Sequence, residues 1–160
     1  MAIRILFFIL FFVACNSPLK KTDENQHSAV RNTDSDEKKL SERAYEYLEK
    51  KEYLKGILSY DTLISIDSTK GGYYFNRGNC KMMLLNDLSD ADAIKDFYRA
   101  INCNYSKKQK AYFNIGVIYT SIGKLDSALY FYDEGLKIDP RDPIGLRNKK
   151  EVSDILKKAK

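Results

Sequence analysis

The groups able to do covalent or metal chemistry are few in this chain. Its one histidine is His27, and its three cysteines are Cys15, Cys80 and Cys103. A Ser/His, Cys/His or imidazole-based zinc site needs an ordered histidine beside a nucleophile or further ligands. His27 lies in the polar stretch NSPLKKTDENQHSAVRNTDSD, residues 16–36, which has no aromatic residue and no apolar period. Such a stretch cannot bury enough apolar surface to order itself, so His27 reads as a solvated bystander. Asp87, Asp90 and Asp92 crowd the segment LNDLSDAD but lack the ordered ligand spacing of a calcium loop. KGGYY, residues 70–74, lacks the spacing and the Lys-Ser/Thr of a phosphate loop. The expectation is a protein that is not an enzyme and holds neither metal nor cofactor.

Cys15 points elsewhere. The chain opens MAIRILFFILFFVAC, with a positive charge at Arg4 and an unbroken apolar run from Ile5 to Ala14. That run is too short for a helix crossing ~30 Å of hydrocarbon, which takes about 20 residues. A positive start, a short apolar core and a small residue before a cut describe an export signal over residues 1–14. FVAC, Phe12 to Cys15, resembles the lipobox of bacterial lipoproteins, with Phe12 where Leu is usual. The resemblance implies that Cys15 is lipidated and becomes the new N-terminus, with residues 15–36 a disordered tether. The implied location is the bacterial cell envelope, lipid-anchored. Asn16, which is not the Asp of inner-membrane retention, favours the outer membrane over the inner.

The formal charge is +5. Its excess gathers at the end, where residues 141–160 hold seven Lys/Arg against Asp142, Glu151 and Asp154. Export makes nucleic acid a poor partner for it, and a solvated helix face is the simpler use.

The rest of the chain repeats itself. YYFNRGNCK (73–81) aligns with AYFNIGVIY (111–119), and YDTLISIDS (60–68) with YDEGLKIDP (132–140). This resembles the tetratricopeptide repeat, a helix–turn–helix unit of about 34 residues. The copy at 109–142 fills the family signature with Tyr112, Ile115, Gly116, Tyr119, Ala128, Tyr132, Gly135 and Pro140. The copy at 71–105 departs from it at Arg77 and Lys81 and has three extra residues between its helices; the copy at 37–70 departs at Leu63. Residues 143–160, opening on Asp142-Pro143, read as a closing amphipathic helix. Gly116 and Gly135 fall inside helices, where each costs about 1 kcal/mol against Ala unless close packing offsets it. Gly123 falls in a turn that suits a left-handed residue. Cys80 and Cys103 fall at opposite ends of one helix pair, too far apart for a disulfide, and Cys103 aligns with Ile66 and Ile138 as a core hydrophobe.

The resemblance implies an all-α, right-handed superhelix of three repeats plus the closing helix, whose first helices line a concave face. The inward positions carried over are Lys38, Ser41, Tyr45 and Leu48; Phe75, Asn76, Asn79 and Met82; and Lys110, Phe113, Asn114 and Val117. Of these, Tyr45, Phe75, Asn76, Asn79, Lys110, Phe113 and Asn114 are the candidate peptide contacts, amides for a backbone and aromatic rings for apolar side chains. Only Asn76 and Lys110 match the five-residue clamp with which some members grip a terminal carboxylate, which favours an internal peptide segment or a helix. The expected function is an envelope adaptor or assembly factor binding another protein. A surface lipoprotein taking a small ligand or glycan, and a self-associating spacer, are the alternatives.

Overall fold

The computed structural model describes residues 26–84 and 87–158. Among them run seven helices and no strand: α1 (Gln26–Glu49), α2 (Tyr53–Ile66), α3 (Gly71–Met82), α4 (Asp87–Asn102), α5 (Lys108–Ser121), α6 (Leu125–Ile138) and α7 (Pro143–Lys158). Short turns pair them as α1–α2, α3–α4 and α5–α6, with α7 against α6. The result is the expected all-α superhelix. No helix among the described residues is long and apolar enough to cross a membrane.

The export signal, Cys15 and the first part of the tether lie outside the described residues. The rest of the tether is corrected: residues 26–36 form the first part of α1. Helix propagation from a formed nucleus adds one backbone bond per residue fixed, so polar residues with no apolar face can extend it. Glu37 anchors that nucleus. Its carboxylate accepts the Tyr73 hydroxyl at 2.5 Å and the Lys70 ammonium, tying α1 to α3.

The turns follow backbone chemistry. Gly123 sits at φ +74° between α5 and α6, as its turn position predicts, and Lys51 takes the same left-handed conformation, φ 61°, between α1 and α2. Asp142 Oδ1 accepts the backbone N–H groups of Ile144 and Gly145, both at 2.9 Å, and so caps α7. The three extra residues of the second repeat are accommodated partly in α4, which has 16 residues against 14 in α2 and α6.

Small residues and rings interlock between the helices. A Cβ on Gly116 would stand 2.6 Å from the Tyr132 ring, and one on Gly78 would stand 2.9 Å from Phe97. Phe113 is keyed between two glycines, its ring filling the space that a Cβ on Gly135 or on Gly145 would take. Cys80 does the same job under Gly56, at 2.8 Å. That corrects the assignment of the core cysteine. Cys80 is fully buried and its thiol is pushed up to about 11 by burial, whereas Cys103 is half-buried just past α4, its Sγ 3.7 Å from the Ser68 carbonyl. Ile66 and Ile138, its aligned counterparts, are also exposed at their helix ends. Neither of the two forms a disulfide.

The departures at Arg77 and Lys81 have a common explanation. Arg77 aligns with Ile115, Lys81 with Tyr119, and Asp96 on α4 with Phe131 on α6. In the third repeat Tyr119 and Phe131 stack with centroids 5.2 Å apart. In the second, Asp96 is 3% exposed and meets Arg77 through Nε at 2.9 Å and Nη2 at 2.6 Å. Lys81 adds a contact at 2.8 Å, and Arg77 reaches Asp61 on α2 at 2.6 Å. Burial opposes the Arg77 charge, but Asp96 and Asp61 outweigh it and hold its pKa above the usual value.

Two sets of substitutions test this packing by urea denaturation. Gly116→Ala and Gly135→Ala should each destabilise by about 1–3 kcal/mol despite alanine's better helix propensity. Gly72→Ala, whose new Cβ meets only the edge of Tyr105 at 3.9 Å, should be stabilising by about 0.5–1 kcal/mol. Asp96→Ala should cost about 3–5 kcal/mol by removing the buried carboxylate that two half-buried cations share. The joint replacement Arg77→Ile, Lys81→Tyr, Asp96→Phe should restore most of that loss; a triple variant as unstable as the single one would contradict the equivalence.

Candidate functional site

The odd-numbered helices present one face in succession. On α5 its inward positions recur one helical turn apart at Lys110, Asn114, Val117 and Ser121, and on α3 at Gly72, Asn76 and Asn79, with Met83 just past its end. On α1 the same register gives Lys38, Glu42, Tyr45 and Glu49. These are exposed or half-buried, while the neighbours Ala44, Cys80, Ala111 and Ile118 face the core.

The expected contact residues separate into two groups. Asn76, Asn79, Asn114, Lys110 and Tyr45 are accessible, Tyr45 at 51%. Phe75 and Phe113 are not: they are 8% and 3% exposed and lie inside core clusters. Phe75 stacks on Tyr105 at 4.6 Å, and Phe113 fills the space between Gly135 and Gly145. The rings are drawn inward because burying an aromatic side chain stabilises more than leaving it on a wet face. Leu48 and Met82 likewise pack against the core. The apolar contacts anticipated from the two Phe residues are therefore absent from this face.

The amides do come together, in a different pairing from the aligned one. Asn114 Nδ2 donates to Asn79 Oδ1 at 2.7 Å, bridging α5 and α3. The Asn79 amino group and the Asn114 carbonyl oxygen remain without partners among the described residues. One donor beside one acceptor is the complement of a peptide unit, which offers a C=O and an N–H. Asn76 stands beside the buried Tyr60 hydroxyl, which closes no hydrogen bond, and burial raises the Tyr60 pKa. At the other end Thr120 Oγ1 and the Tyr132 hydroxyl lie 3.1 Å apart. The tyrosines of α2 and α6 thus underlie the face from behind.

A cleft between α1 and α3 is lined by Glu37, Lys38, Ser41, Glu42, Lys70 and Tyr73. Hydrogen bonding from Lys70 and then Tyr73 holds the Glu37 carboxyl below its ordinary range. Glu42 escaped the sequence reading because the carried-over positions placed Ser41 there instead. Asn148, on α7, was missed because that helix was read only as a closure; its 34-residue spacing from Asn114 was the available signal.

Comparison with known proteins agrees with this architecture. Residues 110–142 match the tetratricopeptide repeat family model. The photosystem I assembly protein Ycf3 of Rippkaea orientalis is 32% identical over 60 residues, 36% of this chain and 35% of that protein. The chain thus aligns with about a third of that relative. The first repeat domain of Spaghetti (RPAP3), solved with the HSP90 peptide SRMEEVD, superposes with a TM-score of 0.66 at 22% identity, covering 75% of this chain and 94% of that one. The Sgt2 domain of Aspergillus fumigatus gives 0.68 at 20% identity, covering 78% and 81%. At these identities the likeness establishes the fold.

The two tyrosines should respond differently to loss of their hydroxyls. Tyr60→Phe removes an unpartnered buried group and should leave stability unchanged or raise it. Tyr132→Phe should lose about 1 kcal/mol with the Thr120 bond, read by thermal unfolding of both variants.

Proposed function

We propose that this tetratricopeptide repeat protein is an adaptor or assembly factor of the bacterial cell envelope, anchored by lipid at Cys15, that holds a segment of another protein against the face of its odd-numbered helices. The observation that carries the binding half is the Asn79–Asn114 pair, with its free donor and free acceptor side by side on an accessible face. Such a pair recognises backbone and so suits an extended segment of varied sequence. The similarity to a domain solved with an HSP90 peptide and to an assembly protein supports a role in holding other proteins. The anchoring half rests on Arg4, the apolar run and FVAC. Among the described residues, no enclosed constellation of nucleophile and base argues for catalysis.

Each half has its own experiment. A photo-crosslinker at Asn76 or Asn114 in the native host should capture one envelope protein that a crosslinker at the exposed Lys137 does not. Equal capture from both positions, or self-crosslinks alone, would remove the groove and favour a spacer. Labelled palmitate should enter the wild-type chain and fail to enter Cys15→Ser; equal labelling would remove the anchor.

A further inference from the structure

Helix α7 does more than close the array. A shift of 34 residues lays Ala111 on Gly145, Asn114 on Asn148 and Ile118 on Val152, and each of these pairs shares its burial class. Helix α7 also meets α5 as α5 meets α3. It is therefore the first helix of a fourth unit, and the accessible face gains a row made of Ile144, Asn148, Glu151 and Ile155. Ile144 and Ile155 are 51% and 43% exposed.

Between α5 and α7 lies a cavity of about 280 Å³. Thr120, Tyr132 and Val152 form its floor, with Val117 on one side and Asn148 and Glu151 on the other. It is smaller than the ~300 Å³ at which small-molecule sites begin, and suits one side chain. Glu151 has no ion-pair partner among the described residues. No cation is present in the lining to neutralise it.

We propose that this cavity receives one aliphatic side chain of the partner's segment, and that Glu151 holds a lysine or arginine next to it. The inference rests on the peptide-binding reading and adds the chemistry of the partner. Charge complementarity selects the occupant. An acidic segment such as SRMEEVD would set its carboxylates against Glu151, whereas a basic flank gains a counter-ion there. Glu42 and Glu49 on α1 extend the same preference to the far end of the face, with Lys38 beside them on α1 and Lys110 on α5.

The test is selection of random dodecapeptides displayed on phage against the full chain, followed by affinity measurement on the enriched sequences. The expected result is enrichment of an aliphatic residue next to Lys or Arg. Glu151→Lys should then weaken binding roughly five- to tenfold, and Val117→Asp by at least as much, with unchanged helical circular dichroism. Enriched peptides that depend on Asn79 and Asn114 but are acidic, or are indifferent to Glu151→Lys and Val117→Asp, would overturn the inference and leave the peptide-binding reading standing. No enrichment at all would overturn both.

Discussion

The structure depends on rings from one helix entering space that a glycine leaves on another. Each helix-interior glycine gives up about 1 kcal/mol of helix propensity. An aromatic side chain buries 150–250 Å², worth about 4–6 kcal/mol at ~25 cal/mol/Å². The exchange favours packing by a clear margin. It also sets geometry: Tyr132 can lie against α5 only because Gly116 has no side chain, and its hydroxyl then reaches Thr120 on the accessible side. Phe113 binds three helices at once, since Gly135 and Gly145 flank it from α6 and α7.

That scaffold tolerates a change of chemistry at its inter-helix seams. Ile115, Tyr119 and Phe131 form an apolar seam in the third repeat, and Arg77, Lys81 and Asp96 form an ionic one in the second. The ionic seam reaches further, because Arg77 extends to Asp61 and so links the first pair to the second. A buried ion pair adds little net stability over an apolar seam but makes loss of one partner severe. Its three members have to change together, which is why two basic residues at apolar signature positions look like defects when read one repeat at a time.

How much was legible follows from the same physics. The repeat, the pairing of helices, the packing role of Gly116 and Gly135 and the turn at Gly123 are all periodic or local properties, visible in residue type and spacing. Three things were not. Alignment put Phe75 and Phe113 on the inward face, but a helix side is broad, and whether a ring turns to groove or core depends on which neighbour is glycine. The order of Cys80 and Cys103 in the core turned on where helices end, the least certain feature of any sequence reading. The start of α1 lay inside a polar stretch with no apolar period, where the Glu37 contact to α3 is a long-range event without local signature.

On the proposed reading the accessible face combines two kinds of recognition with different energetic weights. Amide pairs such as Asn79–Asn114 exchange bonds to water for bonds to a peptide unit, a net gain of only about 0.5–1.5 kcal/mol per bond. A face built mainly of them, with its large rings withdrawn into the core, binds weakly by itself and discriminates little among sequences. Discrimination must then come from the ends, where carboxylates and an apolar cavity replace amides. If the proposed anchor places the chain on its partner's membrane, weak binding is no handicap, because confinement raises the effective concentration and multiplies apparent affinity without a new contact. On the proposed reading the N-terminal anchor and the polar groove are therefore complementary: the anchor supplies proximity, and the groove has only to recognise.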